Sequence, residues 1–172
     1  GRTQGDDQGK ADNTLDIYMS HASSTPVTHN LKGGRLGALI EARDQALSTI
    51  TSKLDDIAYG VSRAVNEVHR QGFTREGRTQ VDFFKEPSSR EGAASMIALS
   101  QDIQDSIGNI AAAAAAESPG DNRIALAVSQ LQGLRMMNDG RATLDDYYNS
   151  IVSDVGVAAG RNRSELNQSK DV

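Results

Sequence analysis

Apolar residues recur at steps of four and three along residues 33–73. A repeat of this kind is typical of a long helix whose narrow apolar stripe packs along another helix. Such a helix would extend for roughly 50 Å, so it requires packing partners. The first half of the predicted packing seam consists of Leu36, Ile40, Leu47, Ile50, Leu54, Ile57, Val61 and Val65.

Arg43 occupies the one step between Ile40 and Leu47 that is not apolar. A basic side chain at a seam edge can extend its charged end into solvent along its aliphatic stem. Alternatively, it can bond a carboxylate or carbonyl of a neighbouring helix and so specify the register of packing. Arg43 is therefore a candidate register contact.

The end of this first helix is predicted near Gly72, because a residue without Cβ suits a left-handed cap position. Gly60 lies inside the helix and costs about 1 kcal/mol relative to alanine, which the sustained seam outweighs. The loop over residues 73–87 contains Phe83 and Phe84. We expect one or both to close an end of the bundle.

Two shorter helical segments are predicted next. Ser88 and Glu91 fit a capping box, the signature of a helix start. The helix it opens would end at Gly108 and would place four apolar residues on one face: Met96, Leu99, Ile103 and Ile107. The alanine run over residues 111–116 predicts a thin helical turn where two backbones approach closely.

Two further helices complete the predicted bundle. Residues 118–121 carry a start signal with Pro119 and Asp121, and Asp139-Gly140 would close the helix that presents Ile124, Val128, Leu131 and Leu134. Thr143 and Asp146 again match a capping box. The final helix supplies the second half of the predicted seam: Leu144, Tyr148, Ile151 and Val155.

The N-terminal part of the chain has a different pattern. Residues 1–10 are rich in Gly, Asp and Gln and predict a flexible end. Alternation over residues 14–20 predicts one short strand, whose neighbours would lie upstream or elsewhere in the fold. Residues 23–34 predict a linker and turn. Because the chain starts without Met or a signal segment, we expect it to be a piece of a longer protein.

Together these patterns predict a mainly α fold: an elongated bundle of about four helices, two of them long with heptad-like seams, and a small β or irregular N-terminal remnant. The predicted division places a flexible end and a short strand in residues 1–34, as the remnant of an upstream or inserted domain. Residues 35–172 would form a helical, rod-like domain. The length of 172 residues suits about one domain.

Composition narrows the possible functions. A net charge of −5 and an aromatic content of 4% without Trp disfavour a nucleic-acid partner. No apolar run approaches the length of a membrane-spanning helix. The absence of Cys excludes disulfides, thiolate zinc sites and cysteine nucleophiles.

Candidate chemistry is sparse. The three histidines, at 21, 29 and 69, have no zinc-binding spacing. The pairs Asp55-Asp56 and Asp145-Asp146 suit solvated or capping positions better than acid–base work. The glycine-rich start of the first helix lacks the ending of a phosphate loop. We therefore predict no catalytic, cofactor-binding or metal-binding residues, and no enzyme activity.

Two stretches together carry a family resemblance. They are GGRLGALIEARDQALSTITSKLDDIAYGVSRAVNEVHRQGF and GDNRIALAVSQLQGLRMMNDGRATLDDYYNSIVSDVG, with VDFF and ALSQDIQDSIGNIAAAA in order between them. The chain over about residues 31–172 resembles the flagellar hook-associated protein 1 family, the first junction protein between hook and filament. It lacks that family's N-terminal helix and C-terminal tail, and it has Val81 where the family tends to have Gly.

The resemblance implies a structural role. Family members pack side by side in a helical array that joins hook to filament, after export through the flagellar type III channel. The implied partners are copies of itself, hook protein, the next junction or filament subunit, and an export chaperone. The implied location is the secreted, extracellular bacterial flagellum, and we expect the isolated chain to be a monomer.

Two alternatives from other classes stay open at this point. One is a cytoplasmic or signalling coiled-coil binding module that shares the heptad pattern. The other is an enzyme domain, such as a polysaccharide hydrolase, carried on a flagellar scaffold. The latter would need two carboxylates about 5 to 9.5 Å apart in a cleft.

Overall fold

The computed structural model of the protein describes residues 18–19, 22–26 and 34–168. The elements in chain order are β1 Tyr18–Met19, β2 Ala22–Pro26, α1 Gly34–His69, α2 Ala93–Met96, α3 Gln101–Asp105, α4 Arg123–Gln130 and α5 Leu144–Gln168. Short 3-10 turns follow α3 and α4, at Ile107–Asn109 and Leu131–Gly133. The mainly α fold class is confirmed, with five α-helices in the described residues rather than about four. The chain divides into two compact units, residues 1–45 and 46–172.

Strands β1 and β2 of the first unit form an antiparallel pair, with Met19 opposite Ala22 and Tyr18 opposite Pro26. A strand was predicted over residues 14–20, and β1 lies inside that range. Residues 23–26 were predicted as part of a linker, and this was wrong, because antiparallel pairing lets a strand take its partner from the next few residues. The predictions for residues 1–17, 20–21 and 27–33 lie outside the described residues.

Within the second unit, α1 buries a face that is mostly polar. The buried residues follow steps of three and four: Asp55, Ala58, Ser62, Asn66 and His69. Each lies one position after a residue of the predicted seam or after Val68, so the buried face is turned by about 100° from the apolar stripe. The apolar stripe of α1 therefore lies at the edge of the buried face or in solvent.

Residues 70–143, here called the connector, link α1 to α5 and are largely irregular. The predicted helix from Ser88 to Gly108 was wrong, because extended pairing interrupts it. Phe84 and Leu99 form an antiparallel bridge, and the Lys85 and Ser100 amides donate to the carbonyls of residues 98 and 83. Of the four apolar residues predicted on its face only Ile103 is buried; Met96, Leu99 and Ile107 are exposed.

The alanine run contains no helix, so the predicted helical turn was wrong, although the close approach of two backbones is confirmed. The amide of Phe73 donates to the Ala113 carbonyl at 2.8 Å. Gly72 does not have the left-handed conformation expected of it. A Cβ atom added at Gly72 would lie 2.9 Å from the Cβ of Ala111 and 3.1 Å from the side chain of Ile124. The glycine is thus required by packing rather than by the cap.

Helix α4 ends at Gln130, well before the predicted end at Asp139-Gly140. The helix tightens into the 3-10 turn, and Leu134 is then extended. This change of direction brings Met137 to Gly60 of α1, where a Cβ would lie 3.2 Å from the methionine sulfur. The lower helix propensity of Gly60 is therefore offset by the close packing of Met137 against α1. Ile124 and Leu131 are buried as predicted, whereas Leu134 is exposed.

The start of α5 is confirmed where the capping box predicted it. The amide of Asp146 donates to Thr143 Oγ1 at 3.1 Å, and the amide of Thr143 donates to Asp146 Oδ2 at 3.2 Å. The two residues thus satisfy each other's otherwise unpaired main-chain donors. These bonds hold the pKa of the Asp146 carboxyl below its usual range, chiefly through Thr143.

We predict that Gly72→Ala destabilises the second unit by about 1 to 3 kcal/mol, because the added methyl overpacks the space against Ala111 and Ile124. Gly156→Ala in α5 is the matched control, since no atom lies within 4 Å of its Cβ position. That change should stabilise the chain by up to about 1 kcal/mol through helix propensity. Urea unfolding followed by circular dichroism measures both, and equal effects of the two variants would contradict the packing explanation.

Candidate functional site

Asn66 organises the middle of the connector from the buried face of α1. Its side chain is 1% exposed. Oδ1 accepts hydrogen bonds from the amides of Phe83 and Phe84, at 3.0 and 2.8 Å, and Nδ2 donates to the Phe84 carbonyl at 2.9 Å. One amide side chain therefore pairs three main-chain groups of a segment that has no regular structure to pair them.

His69 holds two separate parts of the connector. Its Nδ1 lies 2.7 Å from the Val81 carbonyl oxygen, and the Ala111 amide lies 2.8 Å from Nε2. A carbonyl can only accept and an amide can only donate, so Nδ1 carries the proton and Nε2 is the acceptor. The imidazole is thus neutral, with both nitrogens engaged, and is not available as a general base or a metal ligand.

The two phenylalanines of the predicted loop lie at the same end of α1. Phe83 packs edge to face against the His69 ring, with centroids 5.5 Å apart, and against Phe84 at 4.9 Å. Both side chains are partly exposed. The aromatic pair thereby covers the hydrogen bonds of His69 and Asn66 on one side.

Asp55 caps α2 from a distance of 37 residues along the chain. Its two carboxylate oxygens accept from the amides of Gly92 and Ala94, each at 2.9 Å. The capping box predicted at Ser88 and Glu91 was therefore wrong, because Asp55 already supplies the acceptors that the first turn of α2 needs. Sequence reasoning allowed Asp55 a solvated or capping position, but it did not indicate that the capped helix would be α2.

An ion-pair cluster forms the solvent-facing edge of this region. Arg70 donates from Nε to Asp82 at 2.5 Å and from a terminal nitrogen to Glu86 at 2.7 Å. Hydrogen bonds to Asp82, and then to Glu86, hold the pKa of the Arg70 guanidinium above its usual range. The main-chain carbonyl of Asp82 also accepts from Ser100, which ties this edge to the start of α3.

Helices α1 and α5 contact each other through polar groups in antiparallel order. Tyr147 donates from its hydroxyl to Asp56 at 2.6 Å, and Lys53 forms an ion pair with Asp154 at 2.6 Å. Arg90 of the connector also bonds Asp56, at 3.1 Å. Burial, followed by the hydrogen bond to Asp56 and its charge, raises the pKa of Tyr147 to about 12.

A cleft of about 160 Å³ lies beside this contact. Asp56 and Arg90 of its lining are already paired: Asp56 binds Tyr147 and Arg90, and Arg90 also lies over the Tyr59 ring at 5.5 Å. This lining offers no nucleophile next to a base. The lining residues are Asp56, Tyr59, Gly60, Arg90, Met136, Met137, Asn138, Asp139 and Tyr147.

The predicted seam is distributed over exposed and partly exposed positions. Among its described side chains only Ile151 is buried, while Leu47, Leu54, Tyr148 and Val155 are exposed. Partly exposed positions are Ile40, Ile50, Ile57, Val61, Val65 and Leu144, and the side chain of Leu36 lies outside the described residues. Whether the seam packs against other chains stays a prediction.

Arg43 forms an ion pair with the adjacent residue Asp44, with 2.6 Å between Arg43 Nη2 and Asp44 Oδ1. Its predicted register contact with a neighbouring helix is not tested by this pairing. Sequence reasoning assigned Asn66 and His69 no structural role beyond their place in the first stretch of the family resemblance. Their signal is the polar repeat 55, 62, 66 and 69 that runs beside the apolar one.

No group of three or more potential metal-ligating side chains occurs in residues 34–168 or the two short strands. The helices of the part that the structure describes are also too short or too polar to cross a membrane. The polar side chains of α1 mostly bond main-chain groups of the connector, and these bonds stabilise the conformation of that segment.

Comparison with known proteins gives two matches. Residues 2–84 match the family described as Flagellar hook-associated protein FlgK helical domain. The chain is 33% identical over 113 residues to Flagellar hook-associated protein 1 of Bacillus subtilis (strain 168). The aligned region covers 63% of this chain and 22% of that protein. The chain thus spans less than a quarter of that relative's length. No solved structure matches it.

We predict that Asn66→Ala destabilises the second unit by about 3 kcal/mol, because three partly buried main-chain groups lose their partners. The neighbouring exposed Glu67→Ala is the matched control and should change stability by no more than about 0.5 kcal/mol. Hydrogen exchange of the Phe83 and Phe84 amides should also accelerate in Asn66→Ala. Unchanged protection of these two amides would contradict the assigned role.

We predict a loss of stability at alkaline pH that depends on Tyr147. An unfolded tyrosine titrates near pH 10, whereas the folded pKa is about 12. The contribution is therefore fully present below about pH 10 and is lost as the pH rises to about 12. Ultraviolet titration of the four tyrosines should show one late component that is absent from Tyr147→Phe. A late component that persists in that variant would show that another tyrosine is responsible.

Proposed function

We propose that the chain belongs to the flagellar hook-associated protein FlgK family and is a helical part of a structural subunit at the junction between hook and filament. Residues 2–84 match the FlgK helical-domain family, and the chain is 33% identical over 113 residues to a flagellar hook-associated protein 1. The proposed action is mechanical: copies of the protein pack side by side in a helical array. No chemical step is involved, so the proposal assigns no catalytic residue. These matches agree with the resemblance inferred from residues 31–172.

The observation that carries this proposal is an apolar repeat that faces solvent. Leu47 and Leu54 on α1 are 45% and 42% exposed, and they lie seven residues apart. Tyr148 and Val155 on α5 are also exposed and have the same separation. Side chains at heptad spacing on a helix surface suit packing along another helix. The chain itself leaves these positions uncovered because it buries the polar side of α1 instead.

The proposed partners follow from the family. They are copies of the same protein, hook protein, the next junction or filament subunit, and an export chaperone. The proposed location is the extracellular flagellum, reached by type III export. We propose that the isolated chain is a monomer, and that Arg43 fixes register in the assembled array.

A cytoplasmic or signalling coiled-coil module is the second candidate, because the same exposed repeat would suit a binding partner of that kind. No observation favours the enzyme alternative. The buried His69 and Asp55 have both of their side-chain acceptor or donor positions occupied by main-chain groups. The two remaining candidates differ in what loss of the protein does to the flagellum.

We predict that deletion of the gene leaves hooks without attached filaments and releases flagellin into the medium. The full-length protein should restore filaments, whereas a Leu47→Asp, Leu54→Asp double variant should restore at least tenfold fewer, because charges replace the apolar repeat. Electron microscopy of cell surfaces counts the filaments. Leu126→Asp on α4, a residue 51% exposed and outside the seam, is the matched control.

The variants are first tested for secretion and for unchanged helical content, so that a loss of assembly is separated from a loss of folding. Filaments that remain attached in the deletion strain would favour the coiled-coil module. Full restoration by the double variant would show that the exposed repeat is not an assembly surface, even if the protein acts at the junction.

A further inference from the structure

The turn before α5 exposes an unusual dipeptide. Met137 and Ala142 form an isolated antiparallel bridge, with main-chain N···O distances of 3.0 and 3.1 Å. Between them Asn138, Asp139 and Gly140 all have positive φ, of 50°, 56° and 81°. Asparagine and aspartate tolerate this left-handed region better than most other residues. The three residues are exposed to solvent.

Asp139-Gly140 is the one Asp-Gly pair in the 172-residue sequence. Glycine has no Cβ, so nothing shields its amide nitrogen from the side-chain carboxyl of the preceding residue. In the part of the chain that the structure describes, no hydrogen bond or ion pair holds the Asp139 carboxyl. By contrast, Asp55 and Asp56 each accept two hydrogen bonds. Asp139 is therefore both exposed and free to turn towards the next peptide bond.

We propose that Asp139-Gly140 is a site of spontaneous isoaspartate formation. The main-chain nitrogen of Gly140 attacks Cγ of Asp139, a C–N bond forms, and the carboxyl oxygen leaves as water. The product is a five-membered succinimide. Water then opens this ring at either carbonyl, which regenerates aspartate or transfers the main chain to the β-carboxyl as isoaspartate. The water lost in the first step is regained in the second, and no other reactant is needed.

The consequence reaches beyond the turn, because isoaspartate adds one methylene to the main chain. The added atom lies between the paired residues Met137 and Ala142, so it disturbs their bridge. Met137 is buried against Gly60 of α1, and Thr143, which caps α5, follows Ala142 directly. The modification would therefore loosen the junction of α1, the connector and α5 progressively with time.

The test is incubation of the 172-residue chain at neutral pH and physiological temperature, followed by trypsin digestion. Cleavage after Arg135 and Arg141 yields a peptide, Met136–Arg141, that contains the turn. We expect a second species of identical mass and different retention to accumulate, and an isoaspartyl methyltransferase should methylate it. A transient species lighter by one water should precede it.

Two variants make the test decisive. Asp139→Glu would have to close a six-membered ring, so its isoaspartate-type product should be at least tenfold less abundant. Asp139→Asn should form the same succinimide with loss of ammonia, and thus convert to aspartate and isoaspartate faster than the natural chain. Absence of the second species from the natural chain, equal amounts in Asp139→Glu, or a stable amide in Asp139→Asn would each overturn the proposal.

Discussion

Polar side chains on the buried side of α1 must find partners inside the chain, and the rest of the second unit is arranged around that requirement. A buried polar group without a hydrogen bond costs about 1 to 3 kcal/mol. Asn66, His69 and Asp55 avoid this cost by bonding main-chain groups at residues 81–84, 92–94 and 111. The connector needs these bonds equally, because they pair main-chain groups, such as the Phe83 and Phe84 amides, for which its irregular backbone supplies no partner.

This arrangement reverses the usual use of an amphipathic helix. The polar stripe of α1 faces its own chain, and the described residues of its apolar seam are partly or fully exposed. A chain with only three Phe and no Trp has little large apolar surface with which to build a thick core, and hydrogen bonds to main chain substitute for it. The apolar stripe is then left uncovered by its own chain, and it is the surface that the proposed assembly would use.

The long helices and the start of α5 were predictable because their signals are local. Periodicity over tens of residues identifies α1, and the Thr143–Asp146 capping box spans four residues. The connector was predicted poorly because its determinants are distant: the acceptor that caps α2 lies 37 residues away and the imidazole that holds Ala111 lies 42 residues away. The seam shows a different limit. A repeat of apolar residues indicates a packing surface, but it does not indicate whether the partner belongs to the same chain.

The hydrogen bonds that α1 makes to the connector and to α5 close loops of very different length. Asn66 and Phe84 are 18 residues apart, His69 and Ala111 are 42 apart, and Asp56 and Tyr147 are 91 apart. Loop-closure entropy increases by about 0.6 kcal/mol for each doubling of loop length, so the shortest loop forms at least cost once α1 is helical. Each closure shortens the effective length of the next. The polar residues of α1 thus favour an order of folding. The part of the connector nearest α1 in sequence forms its hydrogen bonds first, and α5 packs against α1 last.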